Sequence, residues 1–546
     1  MFDTVISGGV IISAHDRYKP LSGSVGITDG RIAYAGSHPL TAADGRAFVD
    51  ARGKIVMPGL VNGHCHGDMG FAKGGADNTT LGEQMERFAE HNWYYDRVTD
   101  EDRYHARLLT YAEALLSGTT MLVENMYWSL GPLSQEAFAK IGLRGAPAED
   151  VRYDFYRSDG FLTDGMLEAF QSRCREYGLI PLLGTLPEEE FTRERLRRVR
   201  EIVEKSGCHF TSHLAETPWR HAAAVERMGE SPVRALDRCG LLTEKYIGSH
   251  AVYLDGEEIA LMAKRGAKVV NTPICEMKIA DGLAPIPALL KAGVTVALGT
   301  DGAMWSNSND LFREMKCLLL VHSLHGGVRT LTAHDALDMA TVNGAKLFGL
   351  ENELGTIEQG KLADLILVDA SRPHMTPLRT GRAEKVSSNV VYCATGADVT
   401  DVFVGGRRLV RDRRIPGLDL GEIQRRVAAV SEKALGADCP PPPHATRNLI
   451  KRLQGGNYEK AHLYRFKPLP HPDAAGGLRR QARRRSSPGG FRRSRGGRRG
   501  RRARRTHRQP EVRRQRPHGR HGRRGRTRRR RAGRGVQKDR ILPRLL

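Results

Sequence analysis

Pro58-Gly59-Leu60-Val61-Asn62-Gly63-His64-Cys65-His66 decides how this chain is read. The stretch closes an apolar run that begins at Ile55, and it finishes on two histidines one residue apart. Residues i and i+2 of a strand project to the same face, so His64 and His66 can point together. Two imidazoles at one point suit a borderline divalent metal ion. Alone, such a pair is weak, because histidines that serve the core explain most His-X-His matches. Its place directly after an apolar strand and a Pro-Gly step gives it weight.

Working outward, short apolar runs recur near residues 55–61, 119–124, 141–146, 180–184, 209–213, 246–250, 268–272 and 295–300. Helical patterns, for example over residues 104–116 and 310–320, separate most of them. The alternation of strand and helix predicts a parallel sheet. Eight such units predict a (β/α)8 barrel of TIM type, an α/β fold, over residues 57–350. The third and fourth units carry the faintest patterns.

Both flanks have a different texture. Val5-Ile6-Ser7-Gly8-Gly9-Val10-Ile11-Ile12 reads as a strand, and Ser24 to Ile32 reads as a hairpin turning at Asp29-Gly30. Ala363-Asp364-Leu365-Ile366-Leu367-Val368 and Asp401-Val402-Phe403-Val404-Gly405-Gly406 repeat that texture. Residues 1–56 and 351–436 are therefore expected to form one small β-sandwich domain, the second part also holding a C-terminal helix. Beyond Gly436 the pattern fails. Pro440-Pro441-Pro442-Pro443 opens a Pro/Arg-rich tail, residues 437–546, that is expected to be disordered.

The 546 residues are 40% hydrophobic, enough for a large core, yet no stretch of 18 apolar residues occurs. The first residues lack the basic segment and apolar run of a secretory signal. The eight cysteines are scattered without a CxxC pair, which suits a reduced, cytoplasmic protein better than a disulfide framework. The net charge of +24 is concentrated in one segment. From Ala474 onward, 30 Lys and Arg face two acids, a net of +28, so the remainder of the chain stands at −4. Such a tail invites a nucleic-acid reading. Against it, 29 of those 30 cations are Arg, and Phe491 is the only aromatic available for base stacking. A solvated extension and an out-of-frame translation of GC-rich sequence remain as alternatives.

The candidate chemistry gathers at strand ends. His213 closes Cys208-His209-Phe210-Thr211-Ser212-His213, and Glu216 follows three residues later. His250 closes the sixth run and Asp301 follows the eighth, before Gly302. Singly, His250 could be a hydrogen-bonded core histidine, Asp301 a turn former and Glu216 a helix cap. Together they lie where barrel enzymes place their chemistry, at the C-terminal ends of the strands.

On residues 58–66, 213–217, 249–255, 271–285, 298–310 and 354–369, the chain resembles the amidohydrolase superfamily, in the branch of cytosine, guanine and adenosyl-type deaminases and triazine chlorohydrolases. The resemblance covers residues 1–435. It implies one divalent metal ion, zinc or iron, held by His64, His66, His213 and Asp301. It implies that His250 orients the attacking water and that Glu216 shuttles a proton. It also implies a small heterocyclic substrate, and relatives are often homo-oligomers. A bound metal lowers the pKa of water from ~15.7 to about 7, worth on the order of 12 kcal/mol in available hydroxide. Asp301 could take the water proton.

The leaving group sets the next requirement. Ammonia leaves only once its nitrogen is protonated, whereas chloride leaves unaided, so Glu216 as a general acid favours loss of an amine. A deaminase of an amino-substituted purine, pyrimidine, pterin or triazine is the first expectation. A chlorohydrolase or cyclic-amide hydrolase on the same site is the second, and a nucleic-acid-binding protein with an inactive barrel the third. Pro273-Ile274-Cys275-Glu276-Met277-Lys278 departs from the resemblance, since many relatives carry Ser-Asn at Cys275-Glu276. Glu276 is a candidate substrate contact or a solvated loop carboxylate paired with Lys278. Lys73 is a second candidate, facing a substrate carboxylate or solvent. Tyr127 and Trp128 could stack on a ring or pack in the core.

Overall fold

The computed structural model describes residues 1–436 apart from 76, 85–96, 126–130, 153–159 and 185. The expectations for the tail from 437, and for Tyr127 and Trp128, lie outside the described residues. Five strands open the chain: β1 (Phe2–Ile11), β2 (Leu21–Thr28), β3 (Arg31–Gly36), β4 (Gly45–Asp50) and β5 (Lys54–Pro58). The β2–β3 hairpin turns at Asp29 and Gly30, both left-handed at φ 49° and 75°. That pair of positive φ values matches the right-handed strand twist, which is why Asp-Gly marks such turns.

Gly59 then separates two sheets. After it come the barrel strands: β6 (Leu60–Cys65), β7 (Thr119–Glu124), β8 (Arg144–Asp150), β9 (Leu182–Gly184), β10 (His209–Leu214), β11 (Tyr246–His250), β12 (Lys268–Asn271) and β13 (Thr295–Leu298). The apolar run over 55–61 is thus two strands rather than one. A Cβ on Gly59 would lie 2.2 Å from side-chain atoms of Thr120, so only a bare Cα passes there. Hydrophobicity is continuous across that switch and does not reveal it. The run at 141–146 is likewise shifted: the helix Gly131–Ile141 takes its first residue, and the strand begins three residues on.

The barrel strands are parallel and neighbour one another in chain order. Val61, Met121, Val123, Ala146, Ala148, Leu182, Ile247, Val270 and Ala297 share one buried cluster inside them. Full burial of the Val, Leu, Ile and Met side chains among them contributes roughly 1.5–3 kcal/mol each. The ring closes where the His64 carbonyl accepts from Thr300 N and Asp301 N, both at 3.0 Å.

Three late strands, β14 (Leu365–Asp369), β15 (Val399–Val404) and β16 (Arg407–Val410), return to the first sheet. Its order is β16-β15-β14-β5-β1-β2-β3, with β4 on β1. The pairing of β14 with β5, Leu365 opposite Pro58, joins the early and late parts of this sheet next to the start of the first barrel strand. Among the described residues, no helix is long and apolar enough to cross a membrane, and the seven cysteines are free thiols.

Candidate active site

The strand ends bring His64, His66, His213, His250 and Asp301 into one buried space. β6 delivers His64 and, one residue past its end, His66. Gly299 lets the segment after β13 approach: a Cβ there would meet the His64 backbone nitrogen at 2.8 Å. Asp301 follows with φ 58°, and Ala215, His250 and Ala251 also hold positive φ. Side chains rarely adopt that region, and such residues cluster at functional sites.

His66 Nε2 lies 3.2 Å from Asp301 Oδ1 and 3.3 Å from His213 Nε2. His64 Nε2 is 3.5 Å from the same Asp301 oxygen and makes no hydrogen bond, although fully buried. Its other nitrogen, Nδ1, is fixed by Ser249 Oγ at 2.8 Å. Two overlapping sets, His64–His66–Asp301 and His64–His213–His250, have ligand atoms within 4.8 Å of one another.

Burial holds His64 down to about 4 and His213 well below its ordinary value, so both are neutral imidazoles, the form that ligates. Burial opposes ionisation of Asp301, but His64 and His66 outweigh it and hold the carboxyl well below its usual range. An unsatisfied buried imidazole nitrogen, beside neutral imidazoles and a carboxylate, fits a borderline divalent cation.

Glu216 stands at the rim of this cluster. Thr217, not Glu216, caps the helix Pro218–Met228, which disposes of the capping explanation. Glu216 Oε2 accepts from Arg220 Nη1 at 2.6 Å, and Oε1 lies 3.7 Å from His250 Nε2. His250 Nδ1 meets Thr272 Oγ1 at 2.9 Å, while its Nε2 has no hydrogen-bond partner. Burial alone would lower His250, but Glu216, Glu276 and Asp301 more than offset it and lift it to about 10.

Glu276 and Lys73, the two candidate substrate contacts, both have partners within the protein. Glu276 is 1% exposed, and its oxygens accept from Asn271 Nδ2 at 2.8 and 2.9 Å and from Thr272 N at 3.0 Å. One helical turn, Pro273–Lys278, curls its carboxylate back behind His250, 3.7 Å from Nδ1. It is neither solvated nor paired with Lys278, which instead meets Asp77 at 2.6 Å. Lys73 donates to Glu113 Oε2 at 2.6 Å, so its charge is already matched by a neighbouring helix.

Several buried polar residues escaped the sequence reading. Arg220 reaches Glu189 Oε1 at 3.4 Å as well as Glu216. Glu188 accepts from Ala215 N at 2.8 Å and so braces the turn that carries Glu216. Burial, with Glu189 and Glu216 nearby, raises Glu188 to about 8. Burial and Glu216 raise Asp281 to about 9. The spacing of Glu216 and Arg220, four residues apart, was the one signal in the sequence that could have joined them.

Known proteins fit this geometry. The amidohydrolase family profile matches residues 175–409. A 5'-deoxyadenosine deaminase of Methanosarcina mazei is 34% identical over 442 residues, spanning 80% of this chain and 98% of its own. A 5-methylthioadenosine/S-adenosylhomocysteine deaminase of Moorella thermoacetica is 35% identical, covering 74% of this chain and 94% of its own. Among solved structures, a zinc-bound adenosine deaminase from Xanthomonas campestris superposes with a TM-score of 0.70 at 26% identity, over 79% of this chain and 98% of that one. A zinc-complexed atrazine chlorohydrolase from Arthrobacter aurescens TC1 shares the fold, with a TM-score of 0.69 at 21% identity over 78% of this chain and 100% of that one. With a metal-capable His/Asp cluster at the mouth of a parallel barrel, and relatives aligned over nearly their whole length, the chain belongs to the amidohydrolase family, among its metal-dependent hydrolases of carbon–nitrogen bonds.

Proposed function

We propose that the protein is a deaminase that replaces the amino group of an adenosine-type aminopurine with oxygen from water. The cofactor in this reading is one zinc ion, which His64, His66, His213 and Asp301 would hold. When bound, the ion supplies Lewis acidity that makes water nucleophilic at neutral pH.

The chain's own residues carry the protons. Asp301, kept ionised by His64 and His66, accepts the proton that water gives up. Glu216 Oε1 faces the cluster; it receives the second proton of the attacking water and passes it to the leaving nitrogen, so that ammonia departs, while the proton on Asp301 returns to the ring nitrogen of the product. Arg220 fixes its other oxygen, so that only one oxygen turns toward the reacting carbon. His250 Nε2, with Nδ1 anchored on Thr272, directs the water. The burial of the whole set excludes bulk solvent.

The observation that carries this reading is the placement of Glu216. A carboxylate braced by a buried arginine and set beside a metal-capable cluster supports a proton-dependent leaving group. The aminopurine assignment draws on the names of the relatives, 5'-deoxyadenosine and methylthioadenosine deaminases. The test is ammonia release by the purified, zinc-loaded full chain from a panel of amino-purines, pyrimidines, pterins and triazines. Ammonia from adenosine derivatives is expected. Chloride from a halogenated ring, or a ring-opened acid, without ammonia from any member overturns it.

A further inference from the structure

β7, β8 and the segment after β9 contribute none of the imidazoles or carboxylates discussed as metal ligands. Their strand ends are polar all the same. On β7, Met121 and Val123 face the barrel core, while Glu124 turns outward to Arg107 and Ser134, at 2.8 and 2.7 Å. Strand alternation therefore aims Asn125 inward, two residues beyond Val123. Cys65 is opposite Glu124, and Asn125 N donates to the Cys65 carbonyl at 2.7 Å, which sets Asn125 level with His66. Asn125 is 1% exposed, and neither Oδ1 nor Nδ2 has a partner. A buried primary amide satisfied at neither end is costly unless a ligand completes it.

β8 repeats the pattern. Ala146 and Ala148 face the core, and Asp150 follows by two. Its Oδ1 accepts from Arg152 N at 3.0 Å, but Oδ2 is buried without a partner. After β9, Glu188 Oε1 and Glu189 Oε2 are also buried without partners. Glu188 is tied to the Glu216 turn through Ala215 N, so this acidic group adjoins the reacting centre. Burial, with Glu149 and Glu190 adding, pushes Asp150 well above the ordinary carboxylate range despite Arg152 nearby.

We propose that Asn125, Asp150 and Glu188 form the substrate-recognition side of the barrel mouth, where Asn125 reads the purine edge and the two carboxylates take a donor-bearing, non-anionic substituent. The inference rests on the deaminase reading and deepens it. A primary amide presents an acceptor beside two donors, complementary to an exocyclic amino group next to a ring nitrogen. An unpartnered carboxyl oxygen accepts from hydroxyl or ammonium groups, and a nearby ammonium draws the carboxyl toward its ionised form, whereas a phosphate or carboxylate opposes that ionisation.

The test uses the zinc-loaded full chain with adenosine, 7-deazaadenosine, the 5′-amino derivative of adenosine and adenosine 5′-monophosphate. Wild type should use adenosine and its amino derivative at least about 100-fold better than the phosphate, judged by kcat/KM. Glu188→Gln and Asp150→Asn should narrow the ratio of amino to phosphate substrate by roughly 10-fold or more, chiefly through KM. Asn125→Ala should raise KM for adenosine by roughly 10- to 100-fold. If that variant does not fold, the isosteric Asn125→Asp should show the same direction of change. Variants that scale every substrate alike through kcat, or leave the ratios unchanged, overturn the proposal; so does a change in thermal stability alone, as expected if a structural water satisfies Asn125. Should wild type release no ammonia from any substrate, the deaminase reading fails by itself. Calorimetric binding of the same four compounds then decides the subsite: preference for the amino derivative over the phosphate, lost in Glu188→Gln, upholds it, and equal binding overturns it.

Discussion

Glu216 Oε2 and Arg220 Nη1 stand 2.6 Å apart, four residues from each other, with both side chains buried. Arg220 Nε also lies 3.4 Å from Glu189 Oε1. Arg220→Met would leave those carboxylates without their counter-charge, and breaking a buried pair in this way costs about 3–5 kcal/mol. Arg220→Lys keeps a charge but not the planar fork. The lysine variant is expected to fold and to retain one metal per chain while kcat falls by about 10²-fold, the lower end of what a positioned acid contributes. Urea unfolding, metal analysis and steady-state kinetics check the three parts. Unchanged kcat in the lysine variant would remove Arg220 from the account of Glu216.

Glu216→Gln separates proton delivery from water activation. Glutamine keeps the size of the side chain but cannot donate a proton as an acid. Ammonia release should fall by roughly 10²- to 10⁴-fold. A purine carrying chloride at the same ring carbon needs no protonated leaving group, so its hydrolysis should fall far less. Parallel assays of ammonia and chloride on matched substrates give the comparison. Equal losses on both would mean that Glu216 acts on water rather than on the leaving group.

The metal prediction follows from His64 and His66. His66→Ala removes a ring nitrogen that faces both Asp301 and His213, and metal content should drop from about one per chain toward zero together with activity. In wild type, a ligand present at 1,000 times its dissociation constant stabilises the fold by about 4 kcal/mol. Chelation should therefore lower the melting temperature of wild type and leave that of His66→Ala unmoved. Elemental analysis and thermal scans with and without chelator test this, and a variant that keeps its metal would displace His66 from the ligand set.

The difference between His66 and Arg220 explains how much was legible from the residues alone. His64, His66, His213, His250 and Asp301 lie at or just beyond strand ends, and a strand end is visible as the close of an apolar run. The turn at Asp29-Gly30 was visible for the same local reason. Arg220, Glu188 and Asn125 owe their roles to neighbours far along the chain: Glu189, Ala215 and Cys65. For Glu276 the local pattern does not show that a single helical turn folds the carboxylate back onto Thr272 N, which removes the alternative of a solvated loop carboxylate paired with Lys278. Gly59 misled because hydrophobicity carries straight through a change of sheet.

Glu188 also makes a prediction about pH. Burial raises its carboxyl from 4.5 to about 8 in the folded protein, with the Ala215 amide opposing and Glu189 adding to the rise. The folded state therefore binds this proton more tightly than the unfolded chain. Below about pH 4.5 both states are protonated and the group is neutral toward stability. Between about 4.5 and 8 the unfolded chain releases the proton first, so stability falls as pH rises. Above about 8 both states are ionised and the penalty is constant. Glu188→Gln cannot ionise, yet its amide oxygen can still accept from Ala215 N. Relative to wild type, the variant should gain stability steadily from about pH 4.5 to 8 and then hold a fixed advantage. Urea denaturation of both proteins across that range measures the difference directly. A difference that is flat, or that shrinks as pH rises, would show that Glu188 is already ionised in the folded protein.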